Sequence, residues 1–134
     1  MNTLLPLIGE HMAIVLIAVI LSTVIGIALG ICAYRFRYAR GIIMWVAETL
    51  QTIPSLALLA MLMIVFGLGD VTMIVALILY ALLPIVRNTY TGLSSVSEHI
   101  KDAARGMGMS KLQRLMKIEL PLSFPLICSG IKIA

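Results

Sequence analysis

The stretch MAIVLIAVILSTVIGIALGICA, from Met12 to Ala33, contains no charged side chain. In an α-helix that rises 1.5 Å per residue, about twenty apolar residues cross a hydrocarbon core of about 30 Å. We therefore predict a membrane-spanning helix over 12–33. The stretch is too long for the apolar part of a signal peptide and lacks a basic region before it, so we expect it to stay in the mature protein.

The rest of the chain is similarly apolar. Of its 134 residues, 61% are hydrophobic and only 12% are charged, which leaves too few polar side chains to cover the surface of a soluble domain. We predict a single all-α, polytopic transmembrane domain over 1–134. Its further spans are expected at 41–68, at 71–90 and, incompletely, at 121–134.

Positive charge is concentrated in two places along the chain. Basic residues follow the first predicted span, at Arg35–Arg40, and begin in the last turn of the third, at Arg87–Lys117, whereas the other two connections carry Glu10 and Asp70. Cytoplasmic connections of membrane proteins are enriched in Lys and Arg. This distribution predicts an N-terminus outside the cell and both basic segments in the cytoplasm.

The second basic segment, 93–120, is predicted to be a cytoplasmic helix-turn-helix. Ser95 with Glu98, and Ser110 with Gln113, have the spacing of a capping box, and Gly106 and Gly108 suit a helix end between them. DNA-binding motifs have a loosely similar pattern, which would make the protein a membrane-tethered regulator. Because the segment leads directly into the apolar run at Pro121, it has little freedom to enter a DNA groove, and we expect no nucleic-acid partner.

Within this segment, seven residues resemble the EAA loop of permeases in binding-protein-dependent ABC importers. Asp102, which replaces the usual Glu, begins the series Asp102, Ala103, Ala104, Gly108, Ile118, Leu120 and Pro121. Two further strings, QTIPSLA at 51–57 and LPIVRNTYTG at 83–92, resemble the glycine betaine, carnitine and choline branch of that family. Family members continue through further spans, so we expect this sequence to lack the C-terminal ones.

The resemblance implies a subunit of a bacterial inner-membrane importer for quaternary-ammonium osmoprotectants. Its expected partners are an ABC ATPase that binds the ATP, a second permease subunit, an extracytoplasmic substrate-binding protein and the bilayer. The seven EAA residues would couple ATP hydrolysis to transport, with the two alanines allowing close approach and Gly108 allowing a bend. We expect no cofactor, metal site or catalytic residue in this chain. A truncated non-transporting remnant, or a small channel or accessory protein, is the alternative favoured by length.

Polar residues inside the predicted spans are candidates for a translocation path. Gln51, Thr52, Pro54 and Asn88 could face protein or water, as polar groups at membrane depth usually do. The alternative is a helix kink whose polar side chains are satisfied internally, and the sequence leaves both open. Glu48 is expected to pair with one of the neighbouring arginines, those of the 35–40 cluster, and the alternative is that it touches substrate.

Small residues suggest how the spans pack. Gly26 and Gly30 have the four-residue spacing that lets two membrane helices approach closely. Cys32 and Cys128 lack the spacing of a metal site, and we predict that both are buried as small hydrophobic residues.

Overall fold

The computed structural model describes residues 3–134, in which no β-strand occurs and seven α-helices follow one another. They are α1 (Leu4–Arg35), α2 (Arg37–Thr52), α3 (Ser55–Phe66), α4 (Asp70–Ser94), α5 (Glu98–Gly106), α6 (Lys111–Arg114) and α7 (Leu120–Ile133), with a π-helical turn at Leu115–Glu119 between the last two. The prediction of an all-α transmembrane fold is confirmed. By length and composition, α1 and α4 can each cross a bilayer.

The region predicted as the second span contains a sharp break. Helices α2 and α3 meet at an angle of 101°. Pro54 opposes a helical conformation in the residue before it, and Ile53 accordingly adopts extended angles of φ −76° and ψ 126°. Residues 41–68 are therefore two helices at a large angle, and a membrane crossing by this pair remains a prediction.

Helix α4 is the centre of the fold, since it packs against α1, α2, α3 and α7. Its face toward α1 meets a row of buried small residues, Ala18, Ser22, Gly26, Gly30 and Ala33. A Cβ atom added to Gly26 would lie 2.5 Å from Ile85 Cγ2, and one added to Gly30 would lie 2.5 Å from Thr89 Cβ. The predicted packing role of these two glycines is confirmed.

The segment after α4 folds as two helices joined by a glycine turn. Gly108 has φ +78°, a left-handed conformation that a Cβ opposes. The predicted capping box at Ser110 is confirmed, because Gln113 N donates to Ser110 Oγ and Ser110 N donates to Gln113 Oε1. The helix that starts at Lys111 then passes through the π-helical turn directly into α7.

Two predictions about helix capping and cysteine burial were wrong. Ser95 does not cap α5; it flanks the end of α4, and its hydroxyl donates to the carbonyl of Gly92 at 2.8 Å. The preceding helix runs through Ser94, so Ser95 serves its end and α5 begins later, after Ser97. Cys32 and Cys128 are exposed, because each lies on an outward face of its apolar helix.

Candidate functional site

A cleft of about 430 Å³ with a mostly apolar lining opens beside the middle of α4, bordered by Gln51 of α2 and by the end of α7. Its polar lining comes from Gln51, Tyr80, Arg87 and Asn88. The structure thus brings together two of the four residues predicted to line a path, Gln51 and Asn88. Thr52 and Pro54 do not line this cleft and instead form part of the break between α2 and α3.

Gln51 lies between two irregularities of the helices, the proline in the middle of α4 and the break between α2 and α3. Pro84, in the middle of α4, has no N–H to offer to the carbonyl of Tyr80, four residues before it. Gln51 Nε2 donates to this carbonyl oxygen at 2.9 Å. The hydroxyl of Tyr80 in turn donates to the carbonyl of Ile53 at the end of α2. Gln51 therefore satisfies the kink in α4 and also lines the cleft, and its place in a translocation path remains a prediction.

The other polar groups of this region are also held in place. Thr52 Oγ1 donates to the carbonyl of Thr49 in its own helix at 2.7 Å, and Asn88 Nδ2 donates to the carbonyl of Pro84 at 2.8 Å. Glu48 forms an ion pair with Arg87, with 3.0 Å between Oε1 and Nη2. An arginine partner for Glu48 was expected from the 35–40 cluster. That choice was wrong, because α2 runs alongside α4 and carries Glu48 to a residue 39 positions away.

The EAA-like residues lie on or near the surface of the 93–120 segment, with one exception. Asp102 is exposed and forms an ion pair with Arg105 at 2.5 Å, and Ala103 is also exposed. Ala104 is fully buried, so the expectation that both alanines face a partner is wrong for Ala104. Ile118 and Leu120 are half-buried, whereas Gly108 and Pro121 are exposed.

Apolar side chains accompany these residues on the same segment. Met107, Leu112 and Met116 are each more than half exposed, which is a high exposure for large hydrophobic residues on a segment rich in charge. Exposed apolar residues with a charged rim are typical of a surface that meets another protein or a membrane.

A charged contact attaches this segment to the first span. The ammonium of Lys101 lies 5.4 Å from the ring centre of Tyr34, in the last turn of α1, and 3.2 Å from Glu98 Oε1. Burial favours the neutral amine, but hydrogen bonding and charge from Tyr34 and Glu98 outweigh it and raise the pKa of Lys101 above its usual value. Lys101 therefore remains a cation at neutral pH and can attract the ring.

A second charged contact lies within the segment, across the π-helical turn. Arg114 Nε lies 3.3 Å from Glu119 Oε1, and both side chains are almost fully buried. Sequence reasoning missed this pair, the pairing of Glu48 with Arg87 and the part played by Tyr80. Only the part played by Tyr80 could have been found in the sequence. Pro84 lies four residues after Tyr80, and because proline has no N–H, the carbonyl of Tyr80 must lack its helical partner.

Comparison with known proteins places the chain in a family. Residues 22–134 match the family described as the binding-protein-dependent transport system inner membrane component. The chain is 44% identical over 125 residues to the glycine betaine/carnitine/choline transport system permease protein OpuCD of Bacillus subtilis, covering 93% of this chain and 55% of that protein. It is 42% identical over 123 residues to the choline transport system permease protein OpuBB of the same organism, covering 92% and 57%.

A relative from a different organism gives a similar match. The osmoprotectant import permease protein OsmY of Salmonella typhimurium is 44% identical over 128 residues, covering 93% of this chain and 54% of that protein. The chain thus spans about half the length of the curated relatives it matches. From the match over 22–134 and its helical transmembrane fold, we conclude that the chain belongs to the inner-membrane components of binding-protein-dependent transport systems.

Proposed function

We propose that this chain is a membrane-spanning subunit of an ATP-driven importer for quaternary-ammonium osmoprotectants such as glycine betaine, carnitine and choline. It forms part of the translocation path and couples that path to an ATPase carried by a separate subunit. A second permease subunit completes the path, and a binding protein outside the cell delivers the substrate. The names of the relatives support this substrate class.

The observation that carries the proposal is the surface of the 93–120 segment. The exposed Ala103 allows a close approach, Gly108 forms a tight turn, and the exposed Met107 and Leu112 offer apolar contacts to a partner. A motion driven by ATP must enter the membrane through a rigid contact of this kind. The segment passes without a break into α7, so a push on α6 moves α7 as well.

This continuity argues against the DNA-binding alternative. A recognition helix must be free to enter the major groove. Helix α6 has four residues and is joined rigidly to α7 through the π-helical turn.

The orientation of the chain in the proposal follows from its charges. The 93–120 segment lies in the cytoplasm, where the ATPase is, and the N-terminus lies outside. A cysteine introduced at Ser110, which is exposed, should react with an impermeant thiol reagent only from the cytoplasmic side. Labelling from outside alone would contradict the importer proposal.

Coupling is tested by Gly108→Val in the complete transporter. Because valine opposes the left-handed conformation at this position, the turn must change and the contact with the ATPase is displaced. We expect at least a tenfold loss of substrate uptake and of substrate-stimulated ATP hydrolysis. Gly106→Ala is the matched control, since an added Cβ there meets nothing within 4 Å and should preserve both activities. Unchanged uptake and stimulation in the Gly108 variant would refute the coupling role.

The contact itself is tested by cross-linking. A cysteine at the exposed Ala103 should cross-link to the ATPase, whereas one at the buried Ala104 should not. Equal yields from both positions would mean that the exposed face of α5 is not the docking face.

A further inference from the structure

The Glu48–Arg87 pair lies inside the predicted membrane region. By helix rise, Glu48 is about 16 Å from the start of α2 and Arg87 is about 10 Å from the end of α4. Their side chains are 49% and 57% exposed, respectively, so the pair is not enclosed by the helices around it. Charged groups at membrane depth almost always face protein or a water-filled cavity, because exposure to lipid is energetically costly. The face that carries this pair therefore borders the interior of the assembly.

The pair leaves binding capacity unused. A guanidinium has five N–H donors and can hold a carboxylate through two parallel hydrogen bonds, yet Arg87 makes a single bond to Glu48. Arg87 also lines the cleft beside α4, where the amides of Gln51 and Asn88 are fixed by bonds to helix carbonyls. Tyr80 lines the same cleft and supplies an aromatic ring, which can attract an organic cation.

We propose that the Glu48–Arg87 pair is a transit site for zwitterionic substrates, those with one carboxylate and one quaternary ammonium group. The substrate carboxylate replaces Glu48 on Arg87, and the released Glu48 attracts the substrate cation. The exchange leaves every charge with an opposite partner, so no isolated charge is created at membrane depth. This inference rests on the proposed function, because it assigns a site to the proposed substrates.

A substrate that is only a cation would make fewer contacts at this pair than a zwitterion. Choline carries a quaternary ammonium but no carboxylate, so it can approach Glu48 without offering a partner to Arg87. Glycine betaine engages both residues. The site should therefore contribute to the preference for the zwitterion, with Arg87 favouring betaine and Glu48 supplying the contact on which choline depends.

The test measures uptake of glycine betaine and of choline by the complete transporter, and compares the ratio of their kcat/KM values between variants. Arg87→Gln should lower the betaine-to-choline ratio about tenfold, since a charge-assisted contact to the carboxylate is lost. Glu48→Gln should raise the ratio several-fold, because choline loses its one charged partner while betaine keeps Arg87. Delivery by the binding protein is common to all variants and cancels in these comparisons.

Arg40→Gln is the matched control. Arg40 also joins α2 to α4, through a 2.6 Å hydrogen bond to the hydroxyl of Tyr90, but it takes no part in the Glu48–Arg87 pair and does not line the cleft, so its loss should leave the ratio unchanged. If Arg87→Gln and Glu48→Gln each lose betaine and choline uptake equally, the pair is only structural and the transit site is refuted, while the importer function stands. If the wild-type transporter moves neither substrate, the proposed function itself fails. Should Arg87→Gln not reach the membrane, the direction of the change in Glu48→Gln decides the question.

Discussion

The side-chain amide of Gln51 donates to the carbonyl oxygen of Tyr80 at 2.9 Å, and this is the carbonyl that Pro84 leaves without its helical partner. Tyr80 returns a hydrogen bond from its hydroxyl to the carbonyl of Ile53, at the break before α3. Two residues thus satisfy two proline-related irregularities, one in each helix. In a membrane, where no lipid group can replace a lost hydrogen bond, this reciprocal arrangement fixes how α2 lies against α4.

We predict that Gln51→Leu destabilises the protein by about 1 kcal/mol, because the Tyr80 carbonyl loses its donor. Thermal unfolding of the detergent-purified protein measures the change. Thr52→Val is the matched control, since its hydroxyl bonds only to a carbonyl of its own helix and should matter by less than about 0.5 kcal/mol. Equal effects of the two substitutions would mean that the inter-helix bond does not hold α2 to α4.

The contact of α1 with α4 should tolerate no added methyl group at Gly30. A Cβ there would lie 2.5 Å from Thr89 Cβ and 3.2 Å from the carbonyl oxygen of Val86, so Gly30→Ala must push the helices apart. We expect a loss of about 1–3 kcal/mol in the free energy of unfolding.

Gly41→Ala provides the contrast to this substitution. Gly41 lies in α2 with nothing within 4 Å of an added Cβ, so alanine there should stabilise the protein by about 0.5–1 kcal/mol through helix propensity. Stabilisation by both alanines would refute the close approach at Gly30.

Local features of this fold were predictable from sequence, and features that depend on two distant residues were not. The capping box of Ser110 and Gln113 joins neighbours, and the glycine spacing in α1 reads directly as a packing face. The partner of Glu48 could not be predicted, because it depends on how far α2 slides along α4 before the Gln51 contact fixes it. The burial of Ala104 likewise depends on how α5 lies against the rest of the chain, which its own sequence does not determine.

Replacing two buried threonines of α4 by valine should have different effects on the stability of the protein. Thr72 Oγ1 donates to the carbonyl of Gly67 at 2.6 Å, whereas Thr89 Oγ1 has no hydrogen-bond partner within residues 3–134. Valine has nearly the same shape as threonine without the hydroxyl. We expect Thr72→Val to destabilise the protein by about 1 kcal/mol, and Thr89→Val to leave its stability unchanged or to raise it. A large loss on substituting Thr89, measured by thermal unfolding, would show that its hydroxyl has a partner in the membrane-embedded protein.

The π-helical turn should depend on the buried pair of Arg114 and Glu119. A π-helical turn places residues five apart on the same face, which brings the two side chains to 3.3 Å across Leu115–Glu119. Glu119→Gln removes the negative charge and leaves a buried guanidinium without compensation, which should destabilise the protein by about 3 kcal/mol. Asp102→Asn breaks a pair whose side chains are more than half exposed and should change stability by less than about 1 kcal/mol.

A further variant separates the effect of losing the ion pair from the effect of leaving one buried charge without a partner. Replacing Arg114 and Glu119 together by Met and Leu removes both charges and keeps the volume, so most of the stability lost in Glu119→Gln should return. If this double variant unfolds at the wild-type temperature but no longer supports transport in the complete importer, the pair serves to hold α6 and α7 in one geometry for coupling. If the double variant is as unstable as Glu119→Gln, the π-helical turn itself requires the ion pair, because apolar packing alone then fails to keep the turn in place.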